Sequence, residues 1–514
     1  MDDHDHSKLL FLLCIFALYI LHKILNYRKL VGGRAGNHVT LFHPYGMPSY
    51  LLPQIRWVVE AANRRFPFKH QRYDRYGWDI LSNYCVLSSS FIIAIADPNA
   101  IKDVLTSHSR FPRYVEQYKP LSFFGPSVLS TEGDEWKKYK KVVKPALSDK
   151  NSRMGWSETV RVMNDLFEEE WGGKDVVKVE SCLELTLSMA LYVLSAAVFG
   201  QKLSWKEDER PQGNKITFKR ALFDVSSNLV LKMALPNWAG KMSKRVKEIQ
   251  DSFNSLDEYM LEMVQTRDKT DETDLFSSLL KENATGNEET ALNVREIIGN
   301  VFVLLIAGHE TAAHTICFTL MLLALHPEEQ DNLYREVKAL LPDGREPTYE
   351  EMPLFTRAMA AYYETLRMFP PVTWIPKVCA EDTVLSAPSV DGTRMESVPV
   401  PRGTHVIVDV VGLHYNPRHW EDPTEFRPSR FIREWPKDAF IPFSAGSHAC
   451  IGRKFFEVEA IAILVMLIRK YEIEIPTKSG ETYEEKKARV LATTTAITLT
   501  PGDIPVVFRK RLDL

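Results

Sequence analysis

The feature that most constrains the fold is a long apolar segment, residues 293–325, whose centre carries ionisable side chains. Its middle reads AGHETAAH and places His309, Glu310 and His314 among aliphatic and aromatic residues. Ionisable groups are costly at the depth of a bilayer, so this segment is a poor candidate for a membrane span. It is predicted to be a buried central helix, which requires a large globular domain around it.

The same stretch nearly matches H-E-x-x-H, the helical zinc site of metalloproteases. Histidines that share a zinc ion on a helix are four residues apart, whereas His309 and His314 are five apart, about 140° around the helix. A third ligand downstream is also missing. We therefore reject a zinc hydrolase and interpret both histidines as packing or pocket residues. Gly308, Glu310 and Thr311 remain, with a carboxylate and a hydroxyl suited to proton delivery.

A cysteine near the C-terminus is the candidate metal ligand. The stretch FIPFSAGSHACIGRKF places Phe443, Gly446, Cys450 and Gly452 in the pattern F-x-x-G-x-x-x-C-x-G. Cys450 stands just before an apolar helical pattern, and a helix N-terminus favours an anion and lowers a thiol pKa. The glycines permit tight turns and the close approach of a flat ligand. The pattern favours a thiolate that serves as the axial ligand of an iron.

The N-terminal end has a different character from the rest of the chain. Residues 9–21 are uncharged, and basic residues follow them: Lys23, Arg28, Lys29 and Arg34. No signal-peptide cleavage site follows, and the positive-inside rule keeps the C-terminal side cytosolic. The sequence predicts an uncleaved membrane anchor at 1–30, with a buried amphipathic helix as the alternative. A Gly- and Pro-rich linker at 31–54 and one catalytic domain at 55–514 complete the expected organisation.

Most of the remaining chain has helical periodicity. Helices are predicted at 54–64, 99–108, 134–147, 156–171, 179–198, 246–266, 293–325, 327–340, 350–369 and 452–471. Strands are predicted at 91–96 and 406–411 and near the C-terminus. This composition predicts a mainly α chain with small β-sheets (α+β). Dinucleotide and phosphate-loop motifs are absent, and with a net charge of −3 nothing indicates a nucleic-acid partner.

Three further motifs follow a known order along the chain: Trp136-x-x-x-Lys140, the E-x-x-R pair of Glu364 and Arg367, and FRPSRF, which contains Arg430. With AGHET and the cysteine pattern, they make the chain resemble the cytochrome P450 family of haem-thiolate monooxygenases. The resemblance extends from about residue 60 to the C-terminus. The anchor is typical of microsomal members, and the chain most resembles the fungal members among them.

The resemblance implies a role for each motif. Haem b would be held by Cys450 as the iron ligand, while Glu310 and Thr311 would deliver protons. The other implied haem contacts are Phe443, Gly446, His448, Gly452, Trp136, Lys140 and Lys377. Glu364, Arg367 and Arg430 would form a buried network behind the haem.

Several positions depart from the family pattern. His448, Lys140 and Lys377 stand where the family usually has arginine, so bidentate contacts to the haem propionates would become single-point contacts. Ala312 removes a hydroxyl that commonly follows the threonine. The expected result is a haem that is bound more loosely.

The implied activity is insertion of one atom of O2 into a lipophilic substrate, such as a terpenoid, steroid, aromatic or other secondary metabolite. Electrons would come from NADPH through cytochrome P450 reductase, with cytochrome b5 as a second donor. The basic run at 137–141 could form the docking face, or could be a solvated helix face. The expected location is the endoplasmic reticulum membrane.

Two alternatives to a monooxygenase remain. One is a haem-thiolate isomerase or dehydratase that does not use O2, and the other is a non-catalytic haem-binding membrane protein.

Overall fold

The computed structural model describes residues 3–30, 37–46, 48–53, 55, 57–60, 65–206, 216–235, 237–267, 274–285, 291–389, 391–495 and 497–511. Two compact units are present. The first comprises Met1–Tyr114, Val372–Glu425 and Pro436–Ala449, and the second comprises Val115–Pro371, Phe426–Trp435 and Cys450–Leu514. The expected anchor, linker and catalytic domain stay a prediction, and part of the linker lies outside the described residues.

The α-helices of the described residues, in chain order, are α1 Asp3–Leu30, α2 Pro48–Leu51, α3 Arg65–Phe68, α4 Gln71–Tyr76, α5 Pro98–Thr106, α6 Gly133–Ala146, α7 Asp149–Asp165, α8 Cys182–Phe199, α9 Phe218–Ser227, α10 Leu229–Ala234, α11 Lys244–Thr266, α12 Leu275–Thr285, α13 Val294–Leu325, α14 Pro327–Leu340, α15 Thr356–Met368, α16 Val410–His414, α17 Arg453–Lys470 and α18 Tyr483–Val490.

The strands are β1 Asn37–Thr40, β2 Ile80–Cys85, β3 Ser90–Ile95, β4 Val176–Val179, β5 Trp374–Val378, β6 Thr383–Pro388, β7 Met395–Val400, β8 His405–Asp409, β9 Tyr471–Glu474, β10 Thr493–Thr495, β11 Leu499–Pro501 and β12 Val506–Lys510. The first unit contains the mixed sheet β1-β2-β3-β8-β5 and the hairpin β6-β7. The second contains β4-β12-β9 and the hairpin β10-β11. The chain is 57 % helical with small mixed sheets, which confirms the predicted fold class.

Helix α13 is the central helix of the second unit, as the sequence predicts. It begins with a capping box in which the Asn293 side chain accepts from the Glu296 backbone and the Glu296 side chain accepts from the Asn293 backbone. From there it runs for 32 residues, about 48 Å. Its apolar side chains join those of α8, α9, α11 and α12 in one large core cluster. Two-thirds of the helix is buried within the protein, which fits a globular core better than a membrane span.

Helix α1 is apolar but not buried. Three helices in the described part of the chain are long and apolar enough to cross a membrane, and only the one at Leu10–Tyr27 is nearly unburied, at 6 %. The alternative of a buried helix therefore does not fit. The 28 residues of α1 extend about 42 Å, more than the roughly 30 Å of the hydrocarbon core of a bilayer. Tyr27, at the end of this stretch, is buried and donates a hydrogen bond to Ser82 of β2.

Several predicted elements differ from the observed ones. The helix predicted at 350–369 is a 3-10 helix at Tyr349–Leu354 followed by α15. The helix predicted at 54–64 is wrong in its described part, where Ile55 and Val59 form an isolated antiparallel bridge around a turn. The strand predicted at 406–411 ends at Asp409, because the Asp409 carboxylate accepts from the Gly412 backbone and caps α16. Gly412 is needed there, since a Cβ would overlap the ring of Tyr73.

Candidate functional site

Cys450 stands at the N-terminus of α17, in the second unit. The backbone N–H groups of Gly452 and Arg453 donate to its sulfur and favour the thiolate. The thiol is accessible to solvent, but protein atoms surround it densely enough for desolvation to raise its pKa above the ordinary value. In the protein without a bound metal, desolvation therefore outweighs the pKa lowering that the helix N-terminus was expected to cause. A metal cation would reverse this balance, since a coordinating thiol is deprotonated outright.

The residues just before the cysteine belong to the first unit. Gly446 has φ +69°, and a Cβ there would overlap the carbonyl of Leu105 at the end of α5. Glycine is therefore required at 446 by both backbone conformation and space. Gly452 has an ordinary φ of −86°, and a Cβ there would make only van der Waals contact with the Cys450 sulfur. The half-buried Phe443 lies three residues before the start of the 3-10 turn at Gly446–His448.

Two residues that stand in place of arginine lie together in the first unit. Lys377, on β5, is only 1 % exposed, and its Nζ is 3.4 Å from Nδ1 of His448. The neutral imidazole can accept from the ammonium group at this distance. The sequence places these residues 71 positions apart, so only the fold shows that the lysine and the histidine lie side by side.

The third such residue, Lys140, lies in the second unit on α6. Its Nζ is 4.6 Å from the centre of the buried Trp136 ring, one helical turn earlier, in a cation–π contact. Another lysine of the same run, Lys138, pairs instead with Glu296 of α13 at 3.1 Å. Trp136 and Lys140 therefore share one face of the helix, as the motif predicts.

Glu310 and Thr311 lie near the middle of α13. The Thr311 hydroxyl donates to the Ala307 carbonyl at 2.7 Å, the back-bond to which helical threonines are prone. Burial raises the pKa of Glu310 above its ordinary value, while a hydrogen bond from Thr498 acts in the opposite direction. Gly308 lets α8 approach closely, since a Cβ there would be 3.2 Å from the Leu194 side chain.

The helix of the cysteine packs against the helix of the Glu310–Thr311 pair. Phe456, one turn into α17, contacts a buried cluster formed by Ala190, Ala312 and Ala313. Ala312 is 2 % exposed, so a larger polar side chain would disturb this contact. The loss of a second hydroxyl at 312 thus has a packing reason.

The two histidines of AGHETAAH hydrogen-bond different partners. His309 hydrogen-bonds the Leu187 carbonyl of α8 at 3.0 Å, whereas His314 contacts Thr498 at 3.2 Å. Both are buried, and burial lowers each pKa to about 4, so both are neutral at neutral pH. Within the described residues no cluster of three potential ligands could hold a metal ion. The rejection of a zinc site is consistent with this geometry.

Glu364, Arg367 and Arg430 form a buried network in the second unit. Both carboxylate oxygens of Glu364 accept from Arg367, at 2.8 Å each, and the two side chains are 0 % exposed. Arg430 Nε is 3.3 Å from the same carboxylate, and the Arg427 backbone N–H donates to it at 2.9 Å. The sequence motifs identified the three side chains, but not the backbone donor at Arg427.

The structure also reveals a neighbour of Glu310 that sequence reasoning missed. The sequence pattern predicts a C-terminal strand at Thr498, and nothing in its local sequence distinguishes it from other strand threonines. It lies in the turn between β10 and β11, where it contacts both Glu310 and His314. Only the fold brings together residues that are 188 positions apart.

Comparison with known proteins gives a consistent result. A family model for cytochrome P450 matches residues 79–500. Over 520 aligned residues the chain is 41 % identical to "Cytochrome P450 monooxygenase 124" of Postia placenta, an alignment that covers 98 % of this chain and 100 % of the relative. It is 25 % identical to the "Phomenoic acid biosynthesis cluster cytochrome P450 monooxygenase" of Leptosphaeria maculans, over 92 % of this chain and 93 % of the relative.

A solved structure shows the same fold. The cytochrome P450DA heme domain superposes with a TM-score of 0.73 at 22 % sequence identity, covering 93 % of this chain and 99 % of that chain. At this level of identity the likeness concerns the fold alone.

Proposed function

Because this chain belongs to the cytochrome P450 family and is an oxidoreductase of the monooxygenase type, we propose that it binds haem b through Cys450 and hydroxylates a lipophilic substrate. The observation that carries the proposal is the thiol of Cys450, which accepts from two backbone N–H groups at the start of α17. This helix packs through Phe456 against the alanine cluster that includes Ala312, the neighbour of Thr311. A thiolate at such a position suits an axial iron ligand.

The donor set of the chain fits a haem group. A single thiol with two converging N–H donors, the buried Lys377 beside His448, and the Trp136–Lys140 pair are suited to an iron and to anionic propionates. We assign the haem contacts to these residues together with Phe443, Gly446 and Gly452. When bound, the haem supplies the activation of O2.

The residues of α13 would control protons and orientation. Glu310 is the proton donor, because its raised pKa lets the carboxyl hold a proton closer to neutral pH than an exposed glutamate can. Thr311 is the positioning hydroxyl. Its own proton is held by the Ala307 carbonyl, which leaves the oxygen lone pairs as acceptors.

Replacing Thr311 with alanine tests this role. We expect Thr311→Ala to keep its haem, while the product formed per NADPH falls by about tenfold or more and hydrogen peroxide rises, since a positioned proton-transfer group contributes 10²–10⁴-fold. The measurement is peroxide and product per NADPH with a reductase.

Thr315→Ala is the matched control for that variant. Thr315 lies one turn further along, is buried and makes the same back-bond, to the Thr311 carbonyl at 2.8 Å. It should remain coupled. Full coupling in Thr311→Ala would refute the assignment.

The cationic contacts give a second prediction. His448→Arg should retain haem more firmly, with haem release slowed by about tenfold, because a guanidinium can bind a propionate through two hydrogen bonds. Transfer of haem to apomyoglobin measures the release rate. His108→Arg, at an exposed site in the same unit, adds the same charge and should leave the rate unchanged. A His448→Arg variant that loses haem as fast as the wild type would contradict this.

The substrate is proposed to be lipophilic. Phe123 and Phe124 pack against Phe253 and Phe302 with ring-centre distances between 4.6 and 6.3 Å. Such an aromatic wall beside α13 favours an apolar molecule with few polar groups. The substrate linings proposed by family analogy are 123–128, 223–235, 302–307, 372–374 and 494–497. The biosynthetic-cluster relative supports a secondary metabolite as the substrate class.

The electron donor is proposed to be NADPH-cytochrome P450 reductase, with cytochrome b5 as a second donor. The basic run at 137–141 offers less positive charge to a partner than its sequence indicates, because Lys138 pairs with Glu296 and Lys140 covers Trp136. Arg453 pairs with Glu457 at 2.8 Å. The exposed Lys141 and Lys144 are therefore the better candidates for contact with an acidic partner.

The membrane assignment rests on α1. Its exposed apolar surface at Leu10–Tyr27 supports a single-pass anchor in the endoplasmic reticulum, with the catalytic part on the cytosolic side.

The decisive test combines two measurements. A CO-difference spectrum of the reduced protein detects the thiolate-bound haem. NADPH consumption with reductase and a panel of lipophilic substrates then detects monooxygenation. A haem-thiolate protein that rearranges peroxides without NADPH would be an isomerase or dehydratase, and one that turns over neither would be a non-catalytic haem protein.

A further inference from the structure

Buried polar side chains connect Glu310 to the β10–β11 hairpin near the C-terminus. Thr498 Oγ1 lies 3.2 Å from Nδ1 of His314. The same hydroxyl is hydrogen-bonded to the carboxyl group of Glu310. Thr498 is 5 % exposed and His314 is 2 % exposed, so bulk water does not replace these contacts.

The positions on α13 explain how one threonine serves both side chains. Glu310 and His314 are four residues apart, about 40° around the helix, so they lie on one face one turn apart. The turn between β10 and β11 covers this face. It is fixed by the buried Leu499, whose backbone N–H donates to the Pro371 carbonyl at 2.9 Å. The hydroxyl of Thr498 is thus held in place by the fold.

A hydroxyl suits a carboxyl group that gains and loses a proton. It has one donor and two acceptor positions, so it can donate to an ionised carboxylate and accept from a protonated one. The neutral imidazole of His314 likewise offers one donor and one acceptor nitrogen. Thr498 therefore stays a partner of Glu310 in both states, whereas an apolar residue would leave the ionised state unsatisfied.

We propose that Thr498 and His314 are positioning residues for Glu310, holding its carboxyl group through both its protonated and ionised forms. The inference rests on the proposed function, because it adds two residues to the proton delivery assigned to Glu310 and Thr311. No group is oxidised or reduced in this step. The proton that Glu310 gives up leaves a carboxylate, and the Thr498 hydroxyl turns to donate to it.

Infrared titration of the holoprotein tests the proposal without a substrate. The carboxyl band of Glu310 is the one lost in Glu310→Gln. In Thr498→Val its titration should move upward by about one pH unit, since a hydrogen bond to a charged group is lost. Thr498→Ser keeps the hydroxyl and should titrate like the wild type. A Thr498→Val protein that titrates unchanged would overturn the role of Thr498.

His314 is tested against the other buried histidine of the helix. His314→Leu should shift the same titration, upward if Nδ1 donates to Thr498 and downward if it accepts. His309→Leu is the control, because His309 hydrogen-bonds the Leu187 carbonyl and should leave the Glu310 band where it is. An unchanged titration in His314→Leu would remove His314 from the proposal.

The share of NADPH electrons that ends in hydrogen peroxide distinguishes a failure of this inference from a failure of the proposed function. With NADPH, a reductase and 7-ethoxycoumarin as a lipophilic probe, Thr498→Val should divert more electrons to hydrogen peroxide than Thr498→Ser at equal haem content. Equal peroxide shares would contradict the positioning role. If the wild type consumes no NADPH with any substrate, the proposed function fails, while the infrared titration still decides the inference.

Discussion

Replacing Cys450 with serine should abolish the thiolate band of the CO-difference spectrum and reduce monooxygenase turnover by at least about a hundredfold, since the Cys450 thiolate would hold the haem iron and would favour O–O cleavage. A serine hydroxyl keeps the size of the side chain and can still accept from the Gly452 and Arg453 backbone. It cannot form the thiolate. The chain should therefore fold, and the loss should be specific to the metal ligand.

Cys14→Ser is the matched control. Cys14 is the other exposed cysteine among the six, and it lies on α1, far along the chain from the proposed iron ligand. Its substitution should leave both the spectrum and the turnover unchanged. A normal CO-difference band in Cys450→Ser would show that another residue binds the iron.

Removing the carboxylate of Glu364 should have the largest effect on folding. Glu364→Ala leaves the guanidinium of Arg367 buried without its partner and deprives Arg430 and the Arg427 backbone of an acceptor. Breaking a buried ion pair by removing one partner costs about 3–5 kcal/mol, a large part of the 5–15 kcal/mol that keeps a typical protein folded. We expect little soluble holoprotein and a much lower midpoint of urea unfolding.

A surface ion pair provides the comparison for Glu364. Glu474 and Arg509 also form a pair, at 2.8 Å, but they are 39 % and 51 % exposed. Glu474→Ala should cost no more than about 1 kcal/mol, because water screens and replaces exposed partners. If Glu364→Ala unfolds at the same urea concentration as Glu474→Ala, the buried network around Glu364 is not a stabilising element.

The contrast between those two pairs shows the limit of motif reasoning. An E-x-x-R spacing predicts that two side chains share a helical face, and α15 confirms this for Glu364 and Arg367. The spacing cannot tell whether the face is buried. Complete burial, and the convergence of Arg430 and the Arg427 backbone on one carboxylate, come from the packing of distant segments.

The secondary structure is predictable from the sequence where the hydrophobic periodicity extends over many residues. The 32 residues of α13, with a capping box at one end, have an unambiguous helical period, whereas the short β8–α16 boundary depends on one side-chain cap at Asp409. The segment at 54–64 was read as a helix from its apolar periodicity, but its described residues form a turn closed by Ile55 and Val59. Local pattern decides long elements, and tertiary contacts decide short ones.

By itself the sequence determined the family, the cysteine proposed as the iron ligand, the Glu310–Thr311 pair proposed for proton delivery and the apolar N-terminal helix, because each depends on residues close together in the chain. Only the tertiary structure decided that desolvation raises the pKa of Cys450 against its two N–H donors, that Ala312 makes room for Phe456, and that Thr498 and His314 meet Glu310. Hydrogen bonds and desolvation act between atoms in space, and a sequence carries no periodic signal for partners nearly two hundred residues apart.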